Sequence, residues 1–231
     1  MITWVSGGLD MFEAVIFDWD GTLADTLDAI VFSFQEVLKE IGCTVSDEYL
    51  ERQIGIGAKN MFRNALRSAG IPYAEEVIDK LMEKKHRLHA QFADRIRLFN
   101  GVTDLLGSLR STLKIALATM SSRCVIDRML DEKSMTGYFD YVISADEVQQ
   151  PKPDPEVFLK CARELKCQPE KCVVVEDSIF GVIAARKAGM KCIAIPSGAY
   201  SREELEREGP DLIVDSVSEK DRILDFIFTK S

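Results

Sequence analysis

Residues 12–25 restrict the folds open to this chain more than any other stretch. Ala14-Val15-Ile16-Phe17 is a continuous apolar run that breaks off into Asp18-Trp19-Asp20-Gly21. Four apolar residues bounded by a turn signal suit a strand buried on both faces, as in a parallel sheet covered by helices. Asp18 and Asp20 then stand where the strand leaves the sheet, and in open α/β sheets the ligand crevice lies outside that edge. Asp-x-Asp-Gly also opens calcium loops, but those place glycine sixth and follow a helix, whereas Gly21 is fourth and follows a strand. From this segment alone, an ordinary strand-to-helix turn stays open as well.

After Asp25 the pattern turns helical. Leu27, Ile30, Val31, Phe34, Val37, Leu38 and Ile41 recur at helical spacing and Gly42 closes the run. Further helical stretches are expected at 46–54, 58–69 and 74–93, with Ser46 and Gly70 as start and stop marks. Strand and helix alternate again from Gly101, with apolar strand cores at 115–118, 141–143, 172–175, 192–195 and 212–214. Such alternation means βα units and a parallel sheet. The expected fold is therefore α/β, a Rossmann-like core of residues 11–25 and 101–231 with an inserted all-helical unit of residues 26–100. Hinges are expected at Thr26 and at Asn100 and Gly101. Residues 1–10 show no period that joins them to the first strand and read as a loose extension, with Met11 an alternative start of translation.

Three of the later strands lead into chemistry-bearing residues. The 115–118 strand runs into Thr119-Met120-Ser121-Ser122, a hydroxyl-lined helix start that offers N–H groups and hydroxyls to an anion, or else simply an N-cap. After 141–143 comes Gln150-Pro151-Lys152-Pro153-Asp154-Pro155, with Lys152 held between prolines and a helix starting at Asp154 and Pro155. The 172–175 strand stops at Glu176-Asp177-Ser178, ahead of a helix with a small-residue face at Gly181, Ala184, Ala185 and Ala188. Parallel strands would bring Asp18, Asp20, Thr119, Lys152, Glu176 and Asp177 to one rim. Two carboxylates at about 4 Å repel by roughly 4 kcal/mol at an effective dielectric of 20, so four of them call for a cation or raised pKa values. Oxygen ligands without clustered His or Cys suit Mg²⁺. A metal, a lysine and a hydroxyl-lined helix start describe phosphoryl transfer.

The net charge of −9 gives no footprint for nonspecific nucleic-acid binding. No apolar run approaches the roughly 18 residues of a membrane span and no leader precedes the first strand, so a cytoplasmic location is expected. Six cysteines without a C-x-x-C pair read as reduced thiols. The partner class is a small phosphorylated metabolite, acted on by a monomer or homodimer.

On these motifs the chain resembles the haloacid dehalogenase superfamily, in its phosphatase and phosphomutase branch with a small helical cap. The four motifs that carry the likeness are Asp18-Trp19-Asp20-Gly21-Thr22, Thr119, Lys152 in Pro-Lys-Pro-Asp-Pro, and Glu176-Asp177 with Gly181. The resemblance implies Asp18 as nucleophile and Asp20 as acid and then base. It implies Thr119 and Lys152 on the transferring phosphoryl group, with Met120 and Ser121 beside it. It further implies Mg²⁺ held by Asp18, Asp20 through its carbonyl, Asp177 and Glu176. Similar sugar-phosphate mutases carry a His where this chain has Ile30, and an Arg in the loop that here reads Ile54-Gly55-Ile56-Gly57-Ala58-Lys59-Asn60. The likeness is therefore greater to phosphoglycolate phosphatases, and the expected function is Mg²⁺-dependent hydrolysis of a small phosphate monoester through an aspartyl-phosphate. The alternatives are a sugar phosphomutase of the β-phosphoglucomutase type and a non-catalytic phospho-ligand-binding protein.

Substrate choice would lie in the helical insertion. Candidates there are Arg52, Lys59, Asn60, the basic run Lys84-Lys85-His86-Arg87 and His89, with Lys59 beside the glycine loop the best placed for substrate. His86 and His89 are expected on a solvated helix face.

Overall fold

The computed structural model describes residues 12–229; the expectations for residues 1–10 and Met11 lie outside the described residues. Strand β1 (Ala14–Phe17) is fully buried and pairs in parallel on both sides, which makes it the centre of a six-stranded sheet. On one side run β4 (Lys114–Ala118) and then β5 (Tyr141–Ile143). On the other run β6 (Cys172–Glu176), β7 (Lys191–Ala194) and β8 (Leu212–Ile213), all parallel. The chain builds outward from β1 in both directions, so a crevice opens at the carboxyl end of β1.

Side chains alternate across the sheet with the period of two that a strand imposes. Val15, Phe17, Ile115, Leu117, Val173 and Val175 face α5 (Val102–Arg110), α6 (Arg123–Glu132) and α10 (Lys220–Phe228). Ala14, Ile16, Ala116, Ala118, Cys172 and Val174 face α7 (Glu156–Leu165), α8 (Ile179–Lys187) and α9 (Arg202–Arg207). Each fully buried Val, Ile or Phe contributes about 1.5–3 kcal/mol, so the sheet is a stiff platform for whatever stands on its rim.

Helices α1 (Leu27–Glu40), α2 (Asp47–Glu51), α3 (Ala58–Ser68) and α4 (Glu75–Ala90) enclose a third apolar cluster of their own. The rings of Phe34 and Phe62, 4.5 Å apart, pack within it. The chain enters this block through β2 (Ala24–Asp25) and leaves through β3 (Arg97–Leu98), which pair as an antiparallel ribbon. Two-residue strands are too short to show a period in the sequence. Ser46 caps α2 as expected, accepting the Tyr49 N–H at 3.1 Å. Helix α7 starts one residue later than expected: Pro155 stands in the cap position and Asp154 Oδ1 accepts the Glu156 N–H at 2.9 Å. Among the described residues no helix is long and apolar enough to cross a membrane.

Candidate active site

The sheet itself fixes Asp18, whose N–H still donates to the Val175 carbonyl at 3.0 Å. The Trp19 carbonyl then accepts the N–H groups of Leu23 and Ala24, both at 3.0 Å, and this tight loop turns Asp20 toward the end of β4. A preceding strand and this loop dispose of the calcium-loop alternative.

From the far side of the crevice comes Lys152, only 1% exposed. Its ammonium donates to Asp18 Oδ1 (2.7 Å), Glu176 Oε1 (2.5 Å) and the Ala118 carbonyl (3.3 Å). An ammonium has three hydrogens, so all are taken. Burial alone would lower its pKa, yet the adjoining Asp18 and Glu176 carboxylates outweigh that and hold the ammonium above its ordinary value. Glu176 is anchored in turn. Its Oε2 accepts the N–H groups of Asp177 and Ser178 and the Ser178 hydroxyl, each at 3.0 Å, while Ser178 caps α8 by accepting the Gly181 N–H. A Cβ on residue 181 would stand 1.9 Å from Glu176 Cδ, which explains the glycine there. Both oxygens of Glu176, expected as a metal ligand, are thus already bonded to protein donors.

Asp177 Oδ1 accepts the Thr22 hydroxyl at 3.0 Å, and on the Oδ2 side the backbone of Gly198 comes so close that a Cβ there would lie 1.8 Å from that oxygen. The carboxylate is therefore aimed, with no room to swing. Ligand oxygens of Asp18, Glu176 and Asp177 lie within 4.8 Å of one another. Burial first, then the neighbouring carboxylates, push Asp18 and Asp177 well above the usual carboxylate range, with Lys152 opposing this at Asp18. With Asp20 included, four carboxylates face one ammonium. An oxygen-only set with this excess of negative charge fits a hard divalent cation.

Asp20 Oδ2 accepts the Thr119 hydroxyl (3.1 Å) and the Ser121 hydroxyl (2.7 Å), while its Oδ1 is buried and unpaired. Ser121 therefore serves Asp20 rather than capping a helix, and Ser122 stands in the cap position of α6 without making a side-chain cap bond. Thr119 directs its hydroxyl hydrogen to Asp20, and Met120 faces the space above. The structure thus brings Asp18, Asp20, Thr119, Met120, Ser121, Lys152, Glu176 and Asp177 to one rim.

Between the rim and the helical block lies a cleft of about 420 Å³, bordered by Gly57, Lys59, Asn60 and His86 on one side and by Met120, Asp146 and Pro151 on the other. Lys59 reaches this cleft, but its ammonium is paired with Asp79 at 2.9 Å. Arg52 does not face the site: it forms a bidentate pair with Glu204, at 3.0 and 2.5 Å, and lies over the Tyr200 ring. The solvated face expected for His86 and His89 is wrong. His89 is fully buried and His86 is half-buried, its pKa pushed down to about 4 by burial and by Lys85. Lys85 is 4% exposed and borders a small cavity opposite Met120 and Ser121. The signal was present: Ile78, Leu81, Lys85 and His89 share one helical stripe, and the apolar pair marks it as the inward one.

Residues 15–195 match the family described as haloacid dehalogenase-like hydrolase. The chain belongs to that family. It is 33% identical to protein CbbY of Cereibacter sphaeroides over 90% of this chain and 94% of the relative. It is 30% identical to a phosphoglycolate phosphatase of Pseudomonas putida over 88% of this chain and 76% of the relative. In three dimensions this family member is similar to a β-phosphoglucomutase from Clostridium difficile, with a TM-score of 0.84 and 26% identity, over 93% of this chain and 96% of the other.

Proposed function

We propose that this hydrolase cleaves a small phosphate monoester, of the phosphoglycolate or sugar-phosphate type, with Mg²⁺ and through an aspartyl-phosphate on Asp18. The observation that carries the reading is the division of labour between two carboxylates two residues apart. Asp18 is held at Oδ1 by Lys152, and among the described residues its Oδ2 has no partner. Asp20 is held at Oδ2 by two hydroxyls, and its buried Oδ1 is bare.

Asp18 Oδ2 attacks phosphorus as the ester P–O bond breaks, and the departing oxygen takes a proton from Asp20 Oδ1. Water then attacks the aspartyl-phosphate, gives its proton back to Asp20 Oδ1, and the Asp18–phosphorus bond breaks to release inorganic phosphate. Lys152 orients the Asp18 carboxylate and favours its ionised form before attack; Thr119 and Ser121 fix the rotamer of Asp20. Asp18, Asp177 and the Asp20 carbonyl would hold Mg²⁺, which when bound offsets charge on the transferring phosphoryl oxygens. Glu176 acts chiefly by holding Lys152.

The helical block serves as a cap that closes over the rim and selects the substrate. Within it, Lys85 is a buried cation that among the described residues is bonded to no carboxylate, and it lies within the field of Asp20. It would hold the departing half of the ester. Ile30, where similar mutases carry a histidine, is apolar and 4% exposed, which favours hydrolysis over mutation of a sugar phosphate.

The test is phosphate release from 2-phosphoglycolate, glucose 1-phosphate, glucose 6-phosphate and p-nitrophenyl phosphate, with and without Mg²⁺. Mg²⁺-dependent release that is absent in Asp18→Asn is expected. Conversion of glucose 1-phosphate to the 6-phosphate faster than phosphate release would replace this reading with the mutase.

A further inference from the structure

Lys85 and His89 lie one turn apart on the buried stripe of α4. Among the described residues the Lys85 ammonium makes one hydrogen bond, to His89 Nδ1 at 3.2 Å, and it lies 5.3 Å from the centre of the Phe34 ring. An ammonium can only donate, so His89 Nδ1 accepts and the ring hydrogen sits on Nε2. That N–H is buried and finds no partner among the described residues. Burial, then the charges of Lys85 and His86, hold His89 well below its ordinary pKa, which keeps the ring neutral as an acceptor must be. The other charged or titratable groups that act on Lys85 are Asp20 and Cys124, both on the core.

A residue whose only task was packing would not leave an N–H unsatisfied in the interior, since burying a bare donor is destabilising. The choice of partner is informative too. A carboxylate at position 89 would cancel the charge of Lys85, whereas a neutral imidazole fixes the direction of the ammonium and leaves its full charge and two N–H donors for an anionic ligand.

We propose that His89 is a positioning residue, which aims the Lys85 ammonium across the small cavity toward Met120 and Ser121 and thereby sets the affinity of the cap for a phosphorylated substrate. The inference rests on the reading of Lys85 given above, and a double-mutant cycle separates the two.

KM and kcat are measured on p-nitrophenyl phosphate and on the fastest natural ester of the panel. His89→Phe, which keeps the ring but removes the acceptor, should raise KM about tenfold and change kcat by less than about threefold. His89→Asn, whose amide oxygen can stand where Nδ1 stood, should recover most of the loss even if the Phe variant proves unstable. In a Lys85→Met background His89→Phe should cost nothing further. Equal losses in both backgrounds, or no change in KM from His89→Phe, would show that His89 only packs. If Lys85→Met itself leaves KM unchanged, there is no cation to aim and this inference fails together with the role of Lys85. Mg²⁺-dependent hydrolysis through Asp18 would stand regardless.

Discussion

Gly198→Ala is a small substitution with a large expected consequence. A Cβ at this position would stand 1.8 Å from Asp177 Oδ2 and 2.9 Å from its Cγ. Carbon and oxygen in contact sit roughly 3.3–3.6 Å apart, so one of the two groups must move by about 1.5 Å. The backbone of Gly198 is outside the left-handed region, so alanine itself is accommodated and the cost falls on the contact. Asp177 cannot yield freely, because Thr22 holds its other oxygen at 3.0 Å. Displacing a metal ligand by this much should weaken Mg²⁺ about 10–100-fold, or about 1.4–2.7 kcal/mol. The assay is phosphate release against Mg²⁺ concentration, with Mg²⁺ titration calorimetry of the same protein. The expected result is a right-shifted Mg²⁺ curve whose plateau kcat stays near that of the parent. Binding of Mg²⁺ within twofold of the parent would refute the reasoning, and with it Asp177 as a ligand.

Further outcomes follow from the geometry of the rim and the helical block. Lys152→Met leaves Asp18 and Glu176 buried without their cation; a loss of about 3 kcal/mol in denaturant unfolding is expected, together with loss of turnover. Asp20→Asn removes the proton carrier at Oδ1 and should slow hydrolysis of sugar phosphates about 10²–10⁴-fold, while with p-nitrophenyl phosphate, whose leaving group needs little protonation, phosphoenzyme should accumulate in a quench experiment. Burial lowers the Lys85 pKa to about 8, so the ammonium is lost as pH rises through that value. In pH profiles kcat/KM should fall above about pH 8 in the parent and lose that limb in Lys85→Met. Because this folded-state pKa lies below the ordinary 10.5, the unfolded chain binds more protons between the two values, and Lys85 should make stability rise with pH in that window. Phe62→Ala, which empties one side of the 4.5 Å Phe34 contact, should cost about 3–5 kcal/mol in thermal or denaturant unfolding.

The carboxylates and Thr119 of the rim were legible because they follow apolar runs, whereas Lys152 was marked by the prolines on either side of it. Asp18, Thr119 and Glu176 stand at the points where buried strands stop, and strand burial is the one pattern a single sequence shows plainly. Parallel pairing then brings them together without further information, and the six strands, their order of appearance and the helical insertion follow from the same signal. What the residues bond to was not legible. Nothing in Pro-Lys-Pro shows that all three hydrogens of Lys152 are taken, nor does Glu176-Asp177 reveal that one carboxylate anchors a lysine while the other is held between Thr22 and the Gly198 backbone. Those assignments depend on distances across the sheet. Lys85 stands out in the sequence only as part of a basic run and His89 is expected on a solvated face for another reason: polarity reads as a sign of solvation. The stripe they share with Ile78 and Leu81 carries the opposite message, since a lysine in register with buried apolar residues is directed inward whatever its charge. The β2–β3 ribbon is two residues long on each side and leaves no period to find.

A phosphoryl group carried by Asp18 is the defining intermediate of the proposed reaction. Acid quench during the first turnover of p-nitrophenyl phosphate with Mg²⁺, followed by digestion and mass spectrometry, should place one phosphoryl group on the peptide that contains Asp18, labile to hydroxylamine and absent from Asp18→Asn. Turnover without any phosphoenzyme, or a phosphoryl group that persists in Asp18→Asn, would contradict it.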